Sequence, residues 1–217
     1  MKLSFLKQTA LFRGIEDEAL ETLLGCLNPR EKHYDKGSTI CRAGDTTHEI
    51  GLVESGSVNS IVNFYWGDSH IFDHMETGEI FGETYAALPG RELLADVVAA
   101  EDCTIVFFDM DKLLHTCESA CSCHNQIIRN LMQISAAKNL GLSERMMHTA
   151  SRSIRERLLS YLSQQAQEKG SASFAIPFSR QQLADYLGVD RSALSNELSK
   201  MGRDGLIRYH KNEFTLL

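Results

Sequence analysis

The 217-residue chain contains no run near the ~20 consecutive apolar residues that a bilayer-crossing helix needs. Its N-terminus, MKLSFLKQTALFRGIEDEAL, lacks an uninterrupted apolar core and a small-residue cleavage site. Export is therefore not expected, and the six cysteines read as reduced thiols of a cytoplasmic protein. Clustered histidine is also missing: His33, His48, His70, His74, His115 and His148 stand singly. A cupin-type metal-dependent enzyme would need two close histidines, a carboxylate and a third histidine further on. His70 and His74 have no such third partner, which speaks against that alternative. The expectation is a protein that is not an enzyme, and no motif supports a haem ligand at His70 or His74.

Positive charge is in short supply, with 22 Lys and Arg against 29 Asp and Glu and a formal net charge of −7. The deficit is uneven. From Ser151 to Leu217 there are ten basic and seven acidic residues, net +3, which leaves −10 on the remainder. A basic end on an acidic protein is expected if only that end meets a polyanion, because phosphate neutralisation dominates nucleic-acid affinity.

Within that end, FSRQQLADYLGVDRSALSNELSKMGRDGL divides at Gly188-Val189-Asp190 into two helical patterns. Leu183, Ala184 and Leu187 lie at helical spacing in the first, and Leu194, Leu198 and Met201 in the second. Ser179 before Gln182 reads as a capping box, and Asp190 can cap the second helix. Two short amphipathic helices about a three-residue turn form a helix-turn-helix, whose second helix enters a DNA major groove by its N-terminal residues. Those outward residues are Arg191, Ser192, Ser195, Asn196 and Lys200. An ordinary helical hairpin has the same pattern, but the C-terminal neighbours of these helices favour the DNA reading. Leu206 to His210 and Glu213 to Leu216 are two β-prone runs about Lys211-Asn212, a hairpin with a basic tip of Arg208, His210 and Lys211. Such a wing suits phosphate contact.

The rest of the chain changes texture twice. Glu16 to Leu27 is a packing helix. From about His33 to Asp109, glycines at 37, 44, 51, 56, 67, 78, 82 and 90 separate short β-prone runs, which suggests an antiparallel sandwich or jelly roll. Whether its interior holds a pocket or a packed core is open at this level. From about Asp111 to His148 the glycines thin out and apolar residues such as Ile127, Leu131, Leu140, Leu142, Met146 and Met147 spread over more than one helical face. One face can meet the roll and the other a second copy of the helix. Thr149 to Ser153 is small and polar and reads as a hinge, followed by a helix from Ile154 to Glu168 and a short strand at Phe174 to Pro177 that pairs with the wing.

In this order (β-roll, long helix, hinge, winged helix-turn-helix) the chain resembles the Crp/Fnr superfamily of bacterial transcription regulators over essentially its whole length. Gly78-Glu79-Ile80-Phe81-Gly82-Glu83, Phe178 to Ala184 and Gly188 to Ser192 carry the resemblance. It implies an α+β fold: an antiparallel β-roll over residues 1–110 of the cyclic-nucleotide-binding type, a dimerisation helix and hinge over 111–150, and a DNA-binding domain over 151–217. It also implies a homodimer on a pseudo-palindromic operator in double-stranded DNA, under control of a small-molecule effector, with RNA polymerase a further partner and no membrane. Arg180, Gln181 and Lys211 join the DNA-facing residues on this ground, and Gly82, Glu83, Thr84, Arg91, Leu93 and Leu94 mark the effector region.

The chain departs from its relatives at three places. Cyclic-AMP-binding members carry an Arg-Ser pair about ten residues after the Gly-Glu element, where this chain has Leu93-Leu94. A leucine pair offers a cyclic phosphate neither charge nor hydroxyl, so cAMP is not the expected effector. A constitutive repressor whose former pocket Leu93-Leu94 fills is the remaining alternative. Second, the recognition helix has Ser192-Ala193-Leu194-Ser195-Asn196 where relatives show Glu-x-x-Ser/Gly-Arg, so a different operator is expected, with Asn196 suited to adenine. Third, oxygen-sensing members cluster three cysteines near the N-terminus, where this chain has only Cys26. Cys117, Cys121, Cys123 and His124 are the densest set of ligand-type side chains and could hold zinc or an iron–sulfur centre. Buried thiols packing as small hydrophobes account for the same residues, and no iron–sulfur cofactor is expected.

Overall fold

The computed structural model describes residues 3–67, 69–114 and 122–217, and two compact units divide after Ala136. The first unit opens with helices α1 (Leu3–Leu6) and α2 (Asp17–Leu27). Eight strands follow: β1 (Arg30–Tyr34), β2 (Thr39–Cys41), β3 (Glu49–Ser55), β4 (Val58–Asn63), β5 (Ser69–Met75), β6 (Ile80–Phe81), β7 (Asp96–Ala99) and β8 (Cys103–Asp109). The short α3 (Glu83–Ala86) intervenes, and α4 (Met110–Leu114) follows the last strand. The strands form two antiparallel four-stranded sheets, ordered β1-β8-β3-β6 and β2-β7-β4-β5.

Side-chain alternation decides the packing. On β3 and β8, Ile50, Leu52, Val106 and Phe108 join Leu20, Leu23 and Leu27 of α2 in one buried cluster. The opposite faces, Val53, Cys103, Ile105 and Phe107, pack with Val58, Met75, Phe81, Val97 and Ala99. Strand β8 is buried on both sides at its centre, which is why Ile105 to Phe108 reads as an unbroken apolar run. The space between the sheets is thus a packed apolar core at these positions, resolving what the strand pattern left open.

Two features differ from expectation. Strand β1, REKHY, is exposed at four of its five residues and has no apolar alternation to announce it; it is held as an edge strand by pairing with β8 from Arg30↔Phe107 to Tyr34↔Cys103. Gly51, expected as punctuation, lies inside β3 opposite Phe81. A Cβ there would come within 2.6 Å of Phe81 Cε1 and 2.7 Å of Cε2, so glycine serves the close approach of a ring to the backbone. By contrast Gly82 does turn the chain, at φ +80°, where α3 begins.

Helix α5 (Ser122–Thr149) is the long helix. Its first turns belong to the first unit: Ile127 and Leu131 enter the α2 cluster, and buried Asn130 donates to the Leu11 and Arg13 carbonyls at 2.8 and 2.9 Å. The unit division falls inside α5, within the segment 111–150 expected as dimerisation helix and hinge.

The second unit contains the end of α5, then α6 (Ile154–Lys169), β9 (Ser173–Ala175), α7 (Arg180–Leu187), α8 (Arg191–Arg203), β10 (Ile207–His210) and β11 (Glu213–Leu216). The strands order β10-β11-β9, so the segment at Phe174 pairs with the wing as expected, with Phe174 opposite Phe214. Leu158, Leu162, Leu183, Leu187, Leu194, Leu198, Met201 and Ile207 are fully buried and form one core.

Candidate nucleic-acid interface

Local chemistry starts and stops the two reader helices. Ser179 accepts from the Gln182 amide while Gln182 Oε1 accepts from the Ser179 amide at 2.8 Å, a complete capping box. Gly188 ends α7 at φ +63°, a conformation that favours glycine. The Asp190 carboxylate then accepts from the Ala193 amide at 2.9 Å and the Ser192 hydroxyl at 2.5 Å, capping α8. These bonds, the Ser192 hydroxyl's first, hold its pKa below the ordinary value.

With Leu194, Leu198 and Met201 buried, helical geometry turns the opposite face of α8 outward. Arg191, Ser192, Asn196 and Lys200 are exposed and Ser195 is half-buried. Among the described residues, Arg191, Asn196 and the Lys211 ammonium have no side-chain hydrogen bond, so their donors are available to a ligand. The other expected contacts are partly engaged. Ser195 donates to the Arg191 carbonyl at 2.9 Å, Gln181 to Asp185 Oδ1 at 2.8 Å, and Lys200 Nζ lies 3.7 Å from Glu197 Oε2.

Arg180 is placed differently from a free surface arginine. Its guanidinium lies 5.3 Å from the Tyr209 ring centroid and 5.9 Å from that of Phe214, and Nη2 donates to the Lys211 carbonyl at 3.2 Å. Burial lowers its pKa from the ordinary value.

Several residues that fix the reader have no visible signal in the sequence. Arg155 of α6 donates to Glu197 at 2.6 Å and pairs with Asp204 at 2.8 Å, and these bonds raise its pKa. Arg157 donates to the Ser151 carbonyl at 2.7 Å and the Leu187 carbonyl at 2.9 Å, bracing the expected hinge against the end of α7. At the end of α5, Arg145 donates to the Asp185 and Tyr186 carbonyls, both at 3.0 Å, where α7 has its negative dipole end. Buried His148 lies 2.9 Å from the Tyr186 hydroxyl and 2.7 Å from Gln164 Oε1. Except for the bond from Arg157 to Ser151, these are long-range partnerships made by ordinary-looking residues.

In the first unit, the expected effector residues divide. Glu83 and Leu93 are buried, whereas Thr84, Arg91 and Leu94 are exposed. Leu94 is 68% exposed, so it does not plug the roll as the vestigial-pocket alternative requires. Its amide donates to the Tyr85 hydroxyl at 3.4 Å, which keeps this turn against α3. A separate open pocket of about 310 Å³ is lined by Gly56, Ser57, His74, Glu76, Thr77 and Glu101. Of the cysteine cluster, Cys117 and Cys121 lie outside the described residues. Cys123 packs half-buried against the apolar core, His124 is buried, and no metal-holding group of His, Cys, Asp or Glu occurs among the described residues. Cys103 is buried and Cys41 half-buried, consistent with strand positions in a core.

Two domain families match this chain: the cyclic nucleotide-binding domain over residues 31–120 and the Crp-like helix-turn-helix domain over residues 156–217. The probable transcriptional regulator flp of Lacticaseibacillus casei is 24% identical over 209 residues, covering 95% of this chain and 91% of that protein. The transcriptional activator protein FnrL of Cereibacter sphaeroides is 23% identical over 187 residues, covering 81% of this chain and 71% of its own. Among solved structures, that of CprK complexed with OCPA shares the fold, with a TM-score of 0.67 at 14% identity over 92% of this chain and 91% of that one. No helix of the described residues is long and apolar enough to cross a membrane.

Proposed function

The chain belongs to the Crp/Fnr family of transcription regulators, and on that premise we propose that it acts as a cytoplasmic homodimer, reading a pseudo-palindromic operator through α8 and the wing. The observation that carries this reading is the two-sidedness of α8: three fully buried apolar residues on one face, and Arg191, Ser192, Asn196 and Lys200 offered on the other. Arg191, at the N-terminal end of the helix, is suited to a guanine edge or a phosphate, and Asn196 to adenine. Ser192, Ser195, Gln181 and Lys211 add contacts around them, and RNA polymerase is the partner through which a bound dimer would act.

The homodimer is supported by the surface of α5. In the second unit, Leu140, Leu142, Met146 and Met147 at the end of α5 are each between 54% and 74% exposed. Met132, Ser135, Asn139, Leu142 and Met146 step by three and four residues, the spacing of a coiled-coil seam. Two copies joined there would present two readers to half-sites about one DNA turn apart, roughly 34 Å.

The effector region proposed is the turn from Gly82 to Leu94, with Glu83, Thr84 and Arg91 as its polar groups and Leu93 and Leu94 in place of phosphate ligands. The effector is accordingly not cAMP. Binding of this effector must favour one arrangement of the dimer over another, since equal affinity shifts nothing.

The test is operator selection from random duplexes with the purified protein, sedimentation to read its oligomeric state, and Arg191→Ala on the selected site. Arg191→Ala is expected to cost roughly 1–3 kcal/mol of binding if Arg191 reads a base. A protein that stays monomeric and selects no duplex sequence at modest salt would overturn the proposal.

A further inference from the structure

We propose that Arg180 is a positioning residue for DNA binding: it sets the wing tip rather than touching phosphate itself. The inference rests on the proposed DNA reading only in taking the wing as a phosphate contact.

The wing turn is unusual in one respect. His210 pairs with Glu213, which leaves Lys211 and Asn212 as a two-residue loop, and Lys211 sits at φ +54°. Two-residue hairpin loops place glycine, asparagine or aspartate where φ is positive, because a Cβ is strained there. A lysine persists in such a conformation only when its surroundings over-determine it. Two contacts do so. The Arg180 guanidinium holds the Lys211 carbonyl at 3.2 Å, and the Asn212 carbonyl accepts from the Ile176 amide at 2.9 Å.

Arg180 also covers both aromatic side chains of the wing. Tyr209 and Phe214 stack at 5.9 Å with 21° between their planes, and the guanidinium lies over both rings. A planar, weakly hydrated guanidinium can donate to a carbonyl in its own plane while its face stacks on rings; a compact, strongly hydrated ammonium has no such face. The half-burial of Arg180 follows from this placement. Its position at the first residue of α7 therefore transmits the orientation of the helix-turn-helix to the wing, leaving the Lys211 ammonium and Arg208 exposed at the tip.

Arg180→Lys tests the assignment, because it keeps the charge and loses the fork. Affinity for a random-sequence duplex at low salt is measured for wild type, Arg180→Lys, Arg208→Ala/Lys211→Ala and the triple variant. Amide hydrogen exchange through β10 and β11 is followed without DNA. The expected result is about tenfold weaker binding for Arg180→Lys, the size of one stacked, charge-assisted contact. Faster wing exchange should accompany it, and the Lys substitution should have no further effect once the tip is neutralised. Wild-type affinity and wing exchange in Arg180→Lys would overturn the assignment. So would a full tenfold loss that persists in the neutralised background, which would mark direct contact. If the wild-type protein binds no duplex, the DNA reading fails, and wing exchange alone then decides the role of Arg180: unchanged exchange in Arg180→Lys rejects it.

Discussion

Replacing His148 by alanine probes how the reader is held to the long helix. His148 is 2% exposed, within 2.9 Å of the Tyr186 hydroxyl on α7 and 2.7 Å of Gln164 Oε1 on α6. Its ring also stands edge-on to Tyr161 at 5.5 Å. The substitution removes two hydrogen bonds, each with a net value of about 1 kcal/mol where water can reach the abandoned partner, as it can at half-buried Tyr186 and Gln164. Lost ring contacts with Tyr161 and Tyr186 add about 1 kcal/mol. The combined loss, about 3 kcal/mol, corresponds to a melting shift of more than about 10 °C for a domain of this size. Because a two-unit chain need not unfold in one step, the assay is urea unfolding combined with amide exchange resolved to α7, where protection should fall by about two orders of magnitude. His148→Gln, which can keep one bond, should lose less. A loss below about 0.5 kcal/mol for the alanine variant would show that His148 does not hold the reader.

Other expectations concern single positions. Gly51→Ala should cost roughly 1–3 kcal/mol by driving a methyl into the Phe81 ring, and Phe81→Leu should relieve part of that cost; strictly additive losses in urea unfolding would refute the close-approach explanation. Burial pushes the Cys41 thiol up to about 11, so it should resist iodoacetamide at neutral pH while exposed Cys26 is alkylated. Since this folded value lies above the ordinary value of 9.0, the neutral Cys41 contributes stability that is full below pH 9 and is lost as pH rises towards about 11; equal labelling of Cys41 and Cys26 in the native protein would contradict the burial argument. The Asp190 carboxylate is shifted the other way, so its capping contribution is full above the ordinary value of 3.8 and lost as pH falls through the lower folded value. Asp190→Ala should remove that acid sensitivity and destabilise α8 at neutral pH; unchanged neutral-pH stability would show that the cap is dispensable.

Much of the reader is legible in the sequence because its signals are local. Ser179 and Gln182 lie three residues apart, Asp190 caps its own helix, and Leu194, Leu198 and Met201 repeat at helical spacing; each is visible without knowing any distant neighbour. The short strands are legible for the same reason, from alternation and glycine turns. Strand β1 is not, since its polar residues fold only by pairing with β8. Gly51 reads as a turn because glycine's two uses, freedom of φ and the absence of a Cβ, are identical in sequence.

The order of the elements, the helix caps and the identity of the exposed residues on α8 follow from the chain alone, because they depend on residues within a turn or two of each other. Tertiary structure alone decided that Arg180 faces the wing, that Arg145 and His148 grip the reader, and that Leu94 points outward. Each depends on a partner distant in the chain or on burial of the whole core, and no local pattern carries that information.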